Sequence, residues 1–345
     1  MRLFGYELKK ILSGAALWVF VGLCIAFNIW TIPASLNRDF DTTTPFPVNV
    51  FVGFHTSEIA ERYVSGLGLT GRVAESMRAK YDALQTVVDE KAVAGDSFSP
   101  YFGEYTYDMH LVLFHRFGVL GRLLLQGMLI AALAALLSVG YEQASHTDHS
   151  VYATKTGRRI LRHKIAASLT ASIGLYALLA AITLGAYFAV FDYSNVWGSS
   201  VSSGFNFIQD FFVGLKPFTT WRSFTVAAYL MASISVGLGL IICFALMGVI
   251  IGTLSENGYT GFLMVVMLNV VCLVLPAVFS VNSYARYIAL QAPIWLWWNS
   301  GLWFTDGDFN ILWRNFELWG TGISLLLLAA FCVLAVKKFE KRDVA

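Results

Sequence analysis

The sequence predicts an all-α membrane protein with six transmembrane helices. Its 345 residues are 57% hydrophobic and only 13% charged, whereas a soluble domain carries about 25% charged residues. Six separate windows each hold the roughly 20 apolar residues that cross a hydrocarbon layer about 30 Å thick. A water-soluble globular protein is therefore excluded.

The six predicted spans are joined by connections of very unequal length. The spans cover residues 11–32, 123–140, 165–190, 224–254, 259–279 and 318–336. Residues 1–10 precede the first span, and Lys9, Lys10 and Ala34 give it the flanks of a secretory signal. Its apolar stretch is longer than the usual core of a signal peptide, so we predict an uncleaved anchor.

Six spans place both termini on one face of the membrane, and the basic residues indicate which face it is. The segments on that face carry 12 of the 24 Lys and Arg residues and six of the 22 Asp and Glu residues. Its charge is therefore +6, against −4 on the other face. These segments are residues 1–10, 141–164, 255–258 and 337–345. Because short cytoplasmic segments carry an excess of Lys and Arg, we predict that both termini are cytoplasmic.

The predicted spans contain no Asp, Glu, Lys, Arg or His within these bounds. Ion and proton pathways need ionisable side chains at membrane depth, so a proton-coupled carrier, a voltage sensor and an ion pump are disfavoured. Isolated polar side chains predict hydrogen bonds between helices, and a pair of glycines four residues apart allows a close helix contact such as a dimer face. These residues are Asn28, Gln126, Ser233, Ser235, Asn269, Gly248 and Gly252.

Other classes of chemistry lack their signatures in this chain. A net charge of +2 gives no basic field for nucleic acid. The cysteines lie in apolar runs, and His110 and His115, near Glu104 and Asp108, are five residues apart, which puts their rings about 140° apart on a helix. His146 and His149, with Asp148, lack further ligands, so no metal site is predicted. There is no GxxxxGK[ST], HExxH or GxSxG motif. We therefore expect no enzyme activity, and any ATP-driven work would need a separate subunit.

The longest connection between spans on the predicted cytoplasmic face is residues 141–164, YEQASHTDHSVYATKTGRRILRHK. Glu142 follows the second span directly, and a basic cluster precedes the third. The cluster consists of Lys155, Arg158, Arg159, Arg162 and Lys164. Its charge has two interpretations: it holds the loop inside and contacts anionic lipid, or it docks a partner protein.

This loop resembles that of the ABC-2-type (type V) permease subunits of bacterial ABC exporters. The resemblance is carried by the glutamate at the exit of span two, a short amphipathic stretch with Ser and Thr, the sequence TKTGRR, and a basic entry to span three. It implies a coupling helix that seats on a separate ATPase subunit, which binds ATP and Mg²⁺, and a permease that works as a homodimer or beside a second permease. The implied coupling residues are Glu142, Ser150, Tyr152, Thr154, Lys155, Gly157, Arg158 and Arg159.

Two further segments are similar to this family. At the start, MRLFGYELKKIL places Phe4, Leu8, Ile11 and Leu12 on one helical stripe, with Glu7, Lys9 and Lys10 away from it. Such a helix lies in the membrane interface, like the N-terminal elbow helix of the family. Residues 280–317 are rich in tryptophan with interrupting Pro and Gly, and they are similar to the family's short outer-leaflet, re-entrant helices.

The connections on the predicted outer face are residues 33–122, 191–223 and 280–317. Within residues 33–122, an apolar stripe at steps of three to four predicts an amphipathic helix over 72–92, with Ser57 as the N-cap of a shorter helix before it. The stripe is Val73, Met77, Lys80 or Tyr81, Leu84 and Val88. About 90 residues without disulfides are marginal as an independent domain. The insertion is therefore either a lid or partner-binding cap packed on the outer mouth, or a solvated spacer.

Together these features favour the permease subunit of an ATP-driven exporter in the bacterial cell membrane. A pathway without charged residues fits a hydrophobic or amphipathic cargo such as a drug, a lipid or an antimicrobial peptide. Which residues contact the cargo does not follow from the sequence. The alternative is a membrane receptor or assembly factor whose extracellular insertion binds a ligand or partner.

Overall fold

The computed structural model describes residues 2–34, 49–95, 112–145, 147, 150–151, 157–194, 196–202, 206–255 and 257–341. These residues are mostly helical. The helices are α1 Arg2–Leu12, α2 Ala15–Ala34, α3 Thr56–Leu67, α4 Gly71–Ala94, α5 Val119–Ala144, α6 Ile160–Val190, α7 Val226–Leu254, α8 Gly258–Val278, α9 Tyr284–Ala289, α10 Pro293–Trp298 and α11 Phe316–Lys341. Six of them, α2, α5, α6, α7, α8 and α11, are long and apolar enough to cross a membrane. The chain is a multi-span helical membrane protein, as predicted.

Several spanning helices extend beyond the predicted apolar windows. Helix α6 begins at Ile160 rather than residue 165, which brings Arg162 and Lys164 into its first turns. Helix α11 begins at Phe316, so Glu317 lies in its first turn. A hydropathy window ends where charges begin, but backbone hydrogen bonding continues through them. The spans are thus free of ionisable residues only within the narrower sequence bounds.

Helices α5 and α7 form the centre of the bundle. About two thirds of the apolar stretch of each is buried, compared with about a fifth for α8 and α11. Gly248 of α7 lies against Ala132 and Ala135 of α5, where an added Cβ would come 2.8 Å from the Ala132 carbonyl oxygen. The glycine pair that the sequence analysis offered as a dimer face therefore serves a close contact within the chain.

The polar side chains of the spans divide into two groups. Asn28 of α2 exchanges hydrogen bonds with Gln126 of α5 at 2.7 and 3.0 Å and donates to Thr183 of α6 at 3.2 Å. This trio confirms the predicted bonding between helices. Ser235 instead donates to a carbonyl one turn earlier in its own helix. Asn269 of α8 does both, since it donates to the Val265 carbonyl at 2.8 Å and to Met247 Sδ of α7 at 3.5 Å.

Helices α3 and α4, here called the cap, pack against each other at one end of the bundle. The predicted apolar stripe of α4 is buried, which confirms this amphipathic helix. The predicted N-cap at Ser57 is wrong, because α3 begins at Thr56. The Thr56 backbone N–H donates to Gln85 Oε1 at 2.9 Å, and the Thr56 hydroxyl donates to the Tyr81 carbonyl at 2.7 Å. Acceptors on α4 therefore take the hydrogen bonds of the first residue of α3.

The cap rests on two connections between spanning helices, the one between α6 and α7 and the one between α8 and α11. One contains an antiparallel hairpin, β1 Phe207–Asp210 and β2 Gly214–Pro217, which the sequence analysis did not predict. The other contains the predicted short helices, α9 and α10. Buried cap residues share one apolar cluster with Trp221, Tyr287, Leu290 and Leu312 from these connections. For residues 56–94 this packing rules out a solvated spacer.

Candidate functional site

Four charged side chains converge at the end of the bundle opposite the cap. Glu7 and Lys10 come from α1, Glu142 from the end of α5, and Lys164 from the start of α6. Lys10 Nζ lies 2.8 Å from Glu7 Oε1 and 2.9 Å from Glu142 Oε1. Lys164 Nζ lies 3.0 Å from Glu7 Oε2 and 2.6 Å from Glu142 Oε2. Each carboxylate therefore contacts both ammonium groups, and we call this arrangement the four-charge ring.

Helix geometry explains why these four residues meet. Glu7 and Lys10 are three residues apart and lie on one face of α1. Glu142 lies one turn after Ser138 on α5, and Lys164 Nζ donates to the Ser138 carbonyl at 2.6 Å. Helix α1 packs on α6. The ring thus joins the N-terminal helix to both sides of the loop that connects α5 and α6.

The ring is almost entirely removed from solvent. The side chains of Glu7 and Glu142 are 1% exposed, that of Lys164 is 2% exposed and that of Lys10 is 13% exposed. Two negative and two positive charges balance one another, so each buried charge keeps opposite partners. Burial lowers the pKa of Lys10, but its hydrogen bonds to Glu7 and Glu142 outweigh burial and raise that pKa above its usual value. Lys10 therefore stays protonated.

The position of α1 corrects the sequence analysis. That analysis directed Glu7 and Lys10 away from the apolar stripe, as in a helix lying at the interface, whereas the structure buries Glu7 against α5 and α6. Phe4, Leu8 and Ile11 still pack on the core. A carboxylate and an ammonium three residues apart on a short apolar helix were the available signal, but their partners lie more than 130 residues away.

The predicted coupling residues have different outcomes. Glu142 joins the ring. Ser150 is exposed and helical, and Arg159 is exposed in the 3₁₀ turn Gly157–Arg159 that leads into α6. Gly157 has a φ of 48°, a left-handed conformation that favours glycine. The side chain of Arg158 lies outside the described residues, as do Tyr152, Thr154 and Lys155. The structure thus joins Glu142 to Glu7, Lys10 and Lys164, none of which was a predicted coupling residue.

The last spanning helix reaches the same end of the bundle. Arg162 of α6 forms a bidentate pair with Glu340 of α11, with Nε to Oε1 at 3.0 Å and an Nη to Oε2 at 3.1 Å. Arg162 is 66% exposed. An exposed pair of this kind contributes about 0–1 kcal/mol. It therefore joins α6 to α11 at this end but adds little stability.

The arrangement is suited to holding elements together rather than to covalent chemistry. Among the described residues, no group of three or more His, Cys, Asp and Glu side chains could hold a metal ion. His110, His146, Asp148 and His149 lie outside those residues. The ring fixes α1, α5 and α6 to one another at the base of the loop, so a displacement of the loop is transmitted to all three helices.

A second buried charged cluster lies at the cap end. Lys216 of β2 contacts Asp306 Oδ2 at 2.5 Å and donates to the Gly307 carbonyl at 2.6 Å. Lys80 of α4 donates to the carbonyls of Asp306 and Ile311 at 3.0 and 2.7 Å. Tyr81 donates to Asp306 Oδ2 at 2.9 Å. With Tyr63 and Asp210, which hydrogen-bond each other, these residues form the cap charge cluster. This cluster ties the cap to the α6–α7 and α8–α11 connections.

The cap charge cluster holds its lysines differently from the ring. Burial lowers the pKa of Lys80 to about 7, since its three acceptors are neutral backbone carbonyls and Lys216 is a nearby positive charge, and together these outweigh the opposing effect of Asp306. Burial also raises the pKa of Asp308.

Comparison of the chain with models of known families, with characterised proteins and with solved structures finds no match. The function must therefore be argued from these two clusters and from the spans.

Proposed function

We propose that this protein is the permease subunit of an ATP-driven ABC exporter of hydrophobic or amphipathic cargo in the bacterial plasma membrane, with both termini cytoplasmic. A separate ATPase subunit hydrolyses ATP and docks on residues 141–164. The observation that carries the proposal is the four-charge ring, which clamps both ends of this loop to the N-terminal helix.

The mechanical argument starts from how a docked subunit moves a bundle. A push on a loop displaces helices only if the loop is fixed to them, because otherwise the loop bends. The ring supplies this fixation through four buried contacts of 2.6 to 3.0 Å. Since α5 is also one of the two central helices, movement at Glu142 reaches the core of the bundle.

Charge supports the same role for the loop. Arg159 is exposed, whereas Lys10 and Lys164 are paired with the buried carboxylates of Glu7 and Glu142. Arg159 is therefore available to a partner or to anionic lipid, whereas Arg162 pairs with Glu340. The sequence places Lys155 and Arg158 in the same basic stretch as Arg159. We assign them to an acidic groove on the ATPase, because the sequence TKTGRR resembles that of permeases which bind such a subunit.

The test is co-expression with the cognate ATPase, followed by purification through the permease. Arg159→Glu is expected to lower the recovered ATPase several-fold, because it reverses a charge at the docking surface. Arg222→Glu is the matched control, since Arg222 is exposed at the cap end and the variant should retain the ATPase. Equal recovery from both variants would overturn the assignment of the docking surface.

Glu142→Gln separates docking from force transmission. The variant keeps the exposed basic residues but removes one carboxylate from the ring, so ATPase recovery should persist while ATP-driven cargo export in vesicles falls. Glu61→Gln is its control, because Glu61 forms an exposed pair with Arg78 on the cap. Unchanged export by Glu142→Gln would contradict the proposed role of the ring.

The second candidate is a receptor or assembly factor that binds a partner through the cap. It is favoured by the packing of the cap on both outer connections, which presents a built surface rather than a spacer. Substituting the exposed side chains of the cap helices should then abolish partner binding without changing the recovery of any ATPase. Failure of the protein to recover an ATPase in native membranes would favour this candidate.

A further inference from the structure

Glu317 is the buried carboxyl that neither charged cluster uses. It lies in the first turn of α11, inside a helix that is long enough to span the membrane, and it is 0% exposed. Neither carboxyl oxygen has a hydrogen-bond partner. The backbone N–H groups of Phe304 and of Glu317 itself lie nearby without hydrogen-bond geometry. An acid held in this way needs a physical explanation.

Among the described residues, two further polar side chains of α7 and α11 are also buried without hydrogen-bond geometry to any partner, although the Ser233 hydroxyl lies close to Tyr229. Thr321 lies one turn further along the same face of α11 and is 6% exposed, and Ser233 of the adjacent helix α7 is 0% exposed. Helices α7 and α11 pack together, and Gly239 of α7 lies against Thr321 Cγ2. Tyr229, one turn before Ser233, is the titratable neighbour of Glu317 on α7. These hydroxyls and the carboxyl form a polar strip between two apolar helices.

No cation compensates the carboxyl. Among the described residues, every ion pair within 4.0 Å involves other carboxylates. Helix α10, which also packs on α11, contains no ionisable residue in its sequence PIWLWW. Tyr229 donates its hydroxyl to the Trp303 carbonyl at 3.2 Å instead of to Glu317. Among the described ion pairs, neither the exposed Arg222 nor the exposed Arg314 pairs with Glu317.

An ionised carboxylate without a counter-charge is costly in an apolar site, and such a group avoids that cost by taking up a proton. We propose that Glu317 is a proton-binding site between α7 and α11. The carboxyl holds its proton while the two helices are packed and releases it when they part and water reaches the site. This inference does not depend on an ATPase partner, and it places an ionisable group in a span that the sequence analysis considered free of them.

Infrared difference spectroscopy of the purified full chain in lipid tests the proposal directly. At neutral pH, the spectrum of the wild type minus that of Glu317→Gln should show the carbonyl stretch of a protonated carboxylic acid, with the small downshift that D₂O causes. Glu61→Gln is the control and should produce no such band. A difference spectrum showing only carboxylate stretches would overturn the proposal.

Thermal unfolding provides a second readout that also checks folding. The folded chain would hold a proton that the unfolded chain releases at neutral pH, so wild-type stability should fall as pH rises. Glu317→Gln resembles the protonated acid in shape, so it should fold and lose this part of the pH dependence. A wild-type midpoint that rises with Na⁺ over choline, but not in Glu317→Gln, would show a metal-cation site instead and overturn the proposal.

Discussion

The four-charge ring and the cap charge cluster both bury lysines, but they neutralise them in different ways. In the ring, each lysine contacts two carboxylates and each carboxylate contacts two lysines. In the cap charge cluster, Lys216 contacts one carboxylate oxygen of Asp306, and the other oxygen has no hydrogen-bond partner among the described residues. Lys80 donates its hydrogen bonds to backbone carbonyls. In the ring, hydrogen bonds to two carboxylates outweigh burial and raise the pKa of Lys10, whereas in the cap charge cluster burial lowers the pKa of Lys80.

This difference separates the two ends of the bundle in their expected behaviour. The ring should hold α1, α5 and α6 in a constant geometry, so that these helices move together. The cap charge cluster should respond to pH, because protonation of Lys80 changes its charge balance. Substitutions that break one cluster and leave the other intact should separate these two behaviours.

Breaking the ring should have the largest effect. Lys164→Met leaves Glu7 and Glu142 with Lys10 alone, and removing one partner of a buried pair costs about 3–5 kcal/mol. Thermal unfolding in detergent should show a large fall in midpoint. The double variant Lys164→Met with Glu142→Gln removes one charge of each sign and should be more stable than the single variant. Equal midpoints for single and double variants would mean that the ring is not electrostatically closed.

Breaking the cap charge cluster should release the cap without unfolding the spans. Lys216→Met leaves the buried Asp306 carboxylate facing Tyr81 alone, at a similar order of cost of about 3 kcal/mol. Limited proteolysis should then cleave residues 56–94 faster, while the spanning helices stay protected. Arg78→Gln breaks the exposed pair with Glu61 in the same cap and should change cleavage little. Equal cleavage of both variants would contradict the cluster's role.

The cap, unlike the four-charge ring, should become more stable above neutral pH. Burial lowers the pKa of Lys80 to about 7 from its ordinary value of 10.5, so between these values the unfolded cap binds a proton that the folded cap does not. Stability should therefore rise with pH across this window and be constant, for this group, below pH 7. The raised pKa of Asp308 acts in the opposite direction.

The measurement is the pH dependence of the cap unfolding transition, with Lys80→Met as the comparison. Because this variant removes only the lysine, subtracting its profile isolates the contribution of Lys80 from that of Asp308. The rise above neutral pH should be absent from the variant. A profile that stays flat across this window after subtraction would show that Lys80 stays charged when folded, and would contradict the prediction.

The smallest effect is expected at the exposed contact between α6 and α11. Glu340→Gln removes the bidentate pair with Arg162, which should cost less than about 1 kcal/mol because solvent screens it. The unfolding midpoint should move only slightly, and less at high salt. A loss as large as that of Lys164→Met would mean that the two helices depend on this pair for their packing.

The sequence predicted the fold better than it predicted the clusters. Hydropathy located the spans, and helical periodicity located α4, because both depend on neighbouring residues. Lys80 on the apolar stripe of α4 was a local sign of a buried cation, but periodicity assigns a face and not a partner. Asp306 lies 226 residues from Lys80, and the hairpin that brings Lys216 to it was not predicted. Glu142 entered through a family resemblance rather than through its contacts.

Site-specific cross-linking from the loop asks whether residues 141–164 form the surface on which the ATPase docks. A photoreactive amino acid is placed at position 150, where Ser150 is exposed, or at position 93, where Val93 of the cap is 91% exposed, and the protein is irradiated in membranes that contain the ATPase. The account predicts a cross-link to the ATPase from position 150 and none from position 93. No cross-link from position 150, or equal cross-links from both positions, would contradict it.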